Sequence, residues 1–130
     1  MTDYVMDTFA WIEYFDGTSL GERVRALVED PHNRILTPAP MLAEVRSKFL
    51  RTGREADAPT AAIEALSQVV PADADLARLA GDEHARQRKT SKDFGLMDAF
   101  LLATAKRSGS TIVTGDPHFR DIKGVEFLEP

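Results

Sequence analysis

Residues 4–15 read YVMDTFAWIEYF, and the order of residue types in that stretch decides the fold. Tyr4-Val5-Met6 is a short apolar run of the kind that forms a buried strand, and it stops at Asp7. From Thr8 the spacing changes, and Trp11, Ile12 and Phe15 fall on one side of a helix. A buried strand therefore ends on a carboxylate and passes directly into a helix. Strands and helices go on alternating down the chain. Asp16-Gly17-Thr18-Ser19 has turn chemistry, and a helix through Val24, Leu27 and Val28 ends near Asp30-Pro31. Arg34-Ile35-Leu36-Thr37 is the next strand. Thr37-Pro38 reads as a cap followed by proline at the first helical position, opening a helix through Met41, Leu42, Val45 and Phe49 that Thr52-Gly53 ends.

Residues 54–60 are polar and read as a loop, 61–68 as a helix and 69–71 as a very short strand. A helix from Asp73 to about Lys89 turns Leu76, Leu79 and Ala80 inward. Residues 90–95 connect it to the most apolar helix, Leu96 to Arg107, which Gly109 stops. Strands at 111–114 and 125–128 flank the turn Gly115-Asp116-Pro117. This alternation predicts an α/β fold with a short, mostly parallel sheet covered by helices on both faces. The 130 residues suit one domain, 1–130, able to bury its own core.

Composition narrows the function classes. With 43% hydrophobic and 28% charged residues the chain is too apolar for a disordered segment. It has no cysteine, which excludes thiol catalysis, disulfides and cysteine zinc sites. No segment approaches the roughly 20 apolar residues of a membrane span. The first residues lack a basic region ahead of the apolar run, so they do not read as a signal peptide, and a cytoplasmic location is expected. The net charge of −5 argues against nucleic-acid binding through bulk positive charge.

In open parallel sheets, ligands bind at the carboxyl ends of strands, near the point where strand order reverses. Asp7 and Asp116 each stand just past a strand. Each also has a plain structural explanation, Asp7 as a helix cap and Asp116 as a turn residue. Asp98 is harder to explain that way, because on a helical wheel it falls among Leu101, Leu102 and Ala105. A carboxylate there must be paired, protonated or metal-bound. Glu44 flanks the apolar stripe of Met41, Val45 and Phe49, and with Lys48 four residues on it also reads as a surface pair. The combination carries the argument. Converging carboxylates make an oxygen-rich pocket suited to Mg²⁺ or Mn²⁺, which polarise a phosphodiester and lower the pKa of a bound water.

The chain resembles the PIN-domain nucleases, and within them the VapC-type toxins of prokaryotic toxin–antitoxin pairs. The matching blocks are YVMDTFAWIEYF at 4–15, PAPMLAEVRSKF at 38–49, LMDAFLLATAKRSG at 96–109 and TIVTGDPHF at 111–119. The resemblance implies a three-layer α/β/α sandwich and a metal-dependent endoribonuclease. It places the characteristic acids on Asp7, Glu44, Asp98 and Asp116, all as metal ligands, with Glu44 alternatively orienting the attacking water. Thr8 and Thr114 match positions where a hydroxyl supports the site. Phe9 departs from the pattern, since relatives often carry a small polar residue there. The implied partners are RNA as substrate, a second copy of the chain in a homodimer, and a VapB-type antitoxin. A non-catalytic PIN-like scaffold and an RNA-processing nuclease that is not a toxin are the alternatives. A haloacid-dehalogenase phosphatase wants an Asp where Phe9 stands, and a receiver domain wants a lysine where Asp116 stands.

Several other residues have ordinary explanations. Asp93 reads as a helix cap, Asp121 as a loop residue and Glu13 as solvent-facing. Arg86, Arg88, Lys89 and Lys92 form the densest basic run, read as a solvated helix end or as phosphate contacts. His84 and His118 lack metal-ligand spacing with any other histidine. Phosphate contact is the one functional reading left to His118, two residues from Asp116. Trp11 and Phe15 share a face suited to the core or a dimer contact.

Overall fold

The first apolar stretch becomes the middle strand of a five-stranded parallel sheet. The computed structural model describes residues 2–130, and Met1 lies outside them. The strands are β1 (Thr2–Met6), β2 (Asn33–Pro38), β3 (Gln68–Val70), β4 (Thr111–Thr114) and β5 (Val125–Phe127), in the order β3-β2-β1-β4-β5. Every pairing is parallel, with Val5 beside both Leu36 and Ile112. The helices are α1 (Thr8–Asp16), α2 (Ser19–Val28), α3 (Ala39–Arg51), α4 (Asp57–Leu66), α5 (Ala74–Gln87) and α6 (Leu96–Ser108).

Side chains alternate across the sheet because successive strand residues point to opposite faces. Val5, Leu36 and Ile112 pack under α5 and α6 with Leu76, Ala80, Leu101 and Leu102. Met6, Ile35 and Val113 point the other way, toward Trp11, Val24, Val45 and Ile63 of α1 to α4. The result is the expected three-layer α/β/α sandwich. The strand order runs outward from β1 through β2 to β3 on one side and through β4 to β5 on the other. The reversal falls between β1 and β4, and a crevice opens beyond their carboxyl ends.

Some local readings differ from the structure. Thr37 does not cap α3. It is the fifth residue of β2, fully buried, where its hydroxyl accepts the Trp11 indole N–H at 3.1 Å and meets Ser67 Oγ at 2.8 Å. Pro38 takes the cap position instead, without a side-chain bond. Burying a tryptophan N–H requires an acceptor, so Thr37 serves the core. The predicted loop at 54–60 is shorter, because α4 starts at Asp57 with Glu55 accepting from the first amides. Leu79 is 40% exposed instead of inward. Leu76 and Ala80 are fully buried and hold α5 to α6 without it.

Candidate active site

The crevice is lined by Asp7, Thr8, Phe9, Met41, Glu44, Asp98, Leu101, Gly115, Asp116 and Pro117, around a cavity of about 340 Å³. Four separate parts of the fold bring the acids there: the end of β1, the second turn of α3, the first turn of α6 and the turn after β4.

Asp7 caps α1, with Oδ1 accepting the Ala10 N–H at 2.9 Å. Its Oδ2 accepts from the Thr114 hydroxyl at the end of β4. The residue is only 6% exposed. Burial drives its carboxyl up to about 7 against the pull of the Thr114 and Ala10 bonds, and the nearby Asp116 and Asp98 add to the rise. Asp98 is the third residue of α6 and reaches back to the Gly95 N–H at 3.0 Å. Burial raises its carboxyl as well; the Gly95 bond opposes this, Asp116 adds to it, and His118 draws it down.

Asp116 follows β4 by two residues. Its Oδ1 accepts the His118 N–H at 2.9 Å, and its own N–H donates to Thr114 Oγ1 at 3.0 Å. The Thr114 hydroxyl thus joins Asp7 to Asp116. Glu44 lies on α3, where Oε1 accepts from the Thr8 hydroxyl at 2.9 Å. Among the described residues it forms no ion pair with Lys48. Thr8 on α1 therefore turns a helix-surface glutamate toward the crevice.

The plain explanation holds for three of the acids and leaves their carboxylates in the crevice. Asp7, Asp98 and Asp116 all accept helix or turn amides, and those same bonds fix the carboxylates facing one another. Carboxylates at such range repel unless a proton or a cation lies among them. Asp98 and Asp116 each offer an oxygen to a group of ligand atoms lying within 4.8 Å of one another, whereas Asp7 and Glu44 line the same crevice outside that group.

The family model that matches this sequence is the PIN domain, over residues 4–125. The chain belongs to the PIN-domain family. Solved structures repeat the PIN fold at low identity. VapBC2 from Rickettsia felis, bound to a DNA fragment from its promoter, superimposes with a TM-score of 0.78 at 14% identity, covering 98% of this chain and 100% of that one. The sarcin–ricin-loop-cleaving toxin VapC20 of Mycobacterium tuberculosis gives 0.70 at 18% identity, with 97% and 99% covered. VapBC-5 from the same organism gives 0.67 at 22% identity over the full length of both chains. A search of curated proteins gives no match.

Within this PIN fold one residue set aside in the sequence stands at the edge of the crevice, outside its lining, and touches two of its acids. His118 lies in a 3₁₀ turn, Pro117–Phe119, with Nδ1 at 3.0 Å from Asp98 Oδ2 and 3.2 Å from Asp116 Oδ1. One potential ligand atom from each of Asp98, Asp116 and His118 lies within 4.8 Å of the others. Its partner Asp98 is 20 residues away, so only the fold reveals the contact. Asp93 does not cap α6. Gly95 holds that position, and Asp98 itself satisfies its N–H. Met41, from the apolar stripe of α3, is buried and lines the crevice. Phe9 is 36% exposed and stands over Gly115, where a Cβ would overlap its ring and come within 2.9 Å of the Leu128 carbonyl. In the basic run, Arg86 is engaged by Glu83 at 2.6 Å.

Proposed function

We propose that this chain is a metal-dependent endoribonuclease and the toxin of a VapBC-type pair, working as one nuclease unit over residues 1–130. The observation that carries the reading is the buried Asp7, held by Thr114 and Ala10 at the reversal point of the sheet with Asp98 and Asp116 beside it. A carboxyl raised to about 7 calls for a proton or a cation at the pH of a cell. A cation among several carboxylates is the arrangement used for phosphodiester hydrolysis.

Asp7, Asp98 and Asp116 would hold Mg²⁺ or Mn²⁺, with Glu44 lining the same crevice. The ion, when bound, supplies charge for the phosphoryl oxygens and a lower pKa for water. The chain's own residues do the positioning. Thr114 fixes Asp7 and Asp116 relative to each other, and Thr8 fixes Glu44. With Oε1 taken up by Thr8, Oε2 of Glu44 is left to orient the attacking water and accept its proton. The water oxygen would bond to phosphorus as its proton passes to Glu44, the bond to the leaving oxygen would break, and that oxygen would take a proton from solvent, which Glu44 returns, giving a phosphate monoester and a hydroxyl.

Family membership supports a nuclease, and the VapBC neighbours support the toxin role and a VapB-type antitoxin partner; the homodimer rests on the sequence resemblance alone. An antitoxin Arg or Lys set among the carboxylates would replace the charge of the ion. Among the described residues no helix is long and apolar enough to cross a membrane; a cytoplasmic setting belongs to the proposal. The test is incubation of the purified chain with total cellular RNA and Mn²⁺, beside chelator and Asp116→Asn controls. Discrete RNA fragments that vanish in both controls are expected. RNA that is bound but never cut would replace this reading with the scaffold one.

A further inference from the structure

The geometry points to His118 as a direct ligand of the divalent ion, through Nδ1 beside Asp98 and Asp116, and to a site that this nitrogen biases toward Mn²⁺ over Mg²⁺. The inference rests on the metal-dependent reading above and adds a residue to it.

Distance comes first. Two donors at right angles, each about 2.1 Å from an octahedral ion, stand roughly 3.0 Å apart. Nδ1 of His118 stands 3.0 Å from Asp98 Oδ2 and 3.2 Å from Asp116 Oδ1. The two carboxylates and the imidazole each offer an atom within 4.8 Å of the others, so one ion reaches all three.

Placement comes second. The ring is not a loose surface group. Its turn begins at Asp116 and is anchored by Phe119, which is fully buried. Phe94, also fully buried, lies with its ring centroid 6.2 Å from the imidazole and 5.6 Å from Phe119. This wall holds Nδ1 toward the acids.

Chemistry comes third. Lys or Arg would serve as well if the acids needed only a counter-charge, but neither offers the lone pair of an imidazole. Mg²⁺ keeps to oxygen donors and sheds water reluctantly, whereas imidazole suits the first-row transition ions. In the metal-free chain the same atom lies within hydrogen-bond reach of Asp98. A histidine that only donates that bond would stay outside the coordination sphere once an ion binds, and this difference is measurable.

The experiment uses the full chain loaded with Mn²⁺ alone, read by pulsed electron paramagnetic resonance, with calorimetric Mn²⁺ and Mg²⁺ titrations of wild type and His118→Phe. A nitrogen coupling is expected in the wild type, altered by ¹⁵N-histidine labelling and absent in the variant. Mn²⁺ affinity of the variant should fall about tenfold or more. Its Mg²⁺ affinity should fall by less than about threefold. Bound Mn²⁺ without histidine nitrogen coupling, or equal losses for the two ions, overturns the role of His118 and leaves the carboxylate site standing. A wild type that binds no Mn²⁺ overturns both. If the variant fails to fold, the labelled wild-type spectrum alone decides.

Discussion

Replacing Asp7 with Asn should make the metal-free protein more stable at pH 8 while removing its ability to hold the ion. The folded carboxyl titrates at about 7 against an ordinary 3.8, chiefly because it is buried. A raised carboxyl means that the folded chain binds the proton more tightly than the unfolded one. Stability is therefore fully present below about pH 4, falls as pH rises toward 7, and is level above that. Three pH units for one group amount to about 4 kcal/mol. Asparagine removes that loss but disturbs the hydrogen bonds. Its Oδ1 still accepts from Ala10, while its amide must donate to a Thr114 oxygen that already accepts from Asp116, leaving the Thr114 proton without a partner. Losing that bond costs about 1 kcal/mol or a little more. The net gain at pH 8 is then about 2–3 kcal/mol. With an unfolding entropy of about 0.27 kcal/mol/K for a chain this long, the midpoint should rise by roughly 7–11 °C. At pH 4 the gain disappears and the variant melts at or below the wild type. Thermal unfolding by circular dichroism in chelator at both pH values is the assay. A variant less stable than the wild type at pH 8, or a difference independent of pH, would refute the reasoning.

Asp98→Asn should abolish RNA cleavage and leave the circular dichroism spectrum unchanged, because the amide keeps an acceptor for the Gly95 N–H; a folded variant with full activity would sink its assigned role. Mn²⁺ binding should release about one proton or more at pH 6, where Asp7 is protonated without metal, and far less at pH 8.5. Calorimetry at pH 6 in two buffers of different ionisation enthalpy checks this, and identical heats would contradict it. Gly115→Ala should destabilise the fold by about 1–3 kcal/mol, since its Cβ overlaps the Phe9 ring. Adding Phe9→Ala should recover only part of the loss, because the Leu128 carbonyl at 2.9 Å does not move away with the ring. Equal melting of Gly115→Ala and wild type would show the crevice to be looser than this.

The central layer was legible because it is written locally. Tyr4-Val5-Met6 and Thr111-Ile112-Val113 are apolar on both faces, as strands under two helical layers must be, and their ends delivered Asp7 and Asp116 to the crevice. Asp98 was legible from its helix alone, since a carboxylate among leucines needs a reason. Contacts set by distant residues could not be read. Glu44 looked like half of a surface pair with Lys48, and only the packing of α1 on α3 exposes its bond to Thr8, 36 residues away. Thr37 had cap chemistry, and the need of a buried Trp11 N–H for an acceptor overrode it. The histidines have no ligand spacing with one another, and the partners of His118 are carboxylates that the fold brings to it. Leu79 had the right period for burial, but Leu76 and Ala80 already fill the contact with α6.

The most direct test of the whole account is a calorimetric titration of Mn²⁺ into the chain at pH 8, with Asp7→Asn and Asp98→Asn beside it. The account predicts saturable binding in the wild type and none in either variant, with all three folded. Undiminished binding in both variants, or no binding by the wild type up to the millimolar range of weak carboxylate sites, would contradict it.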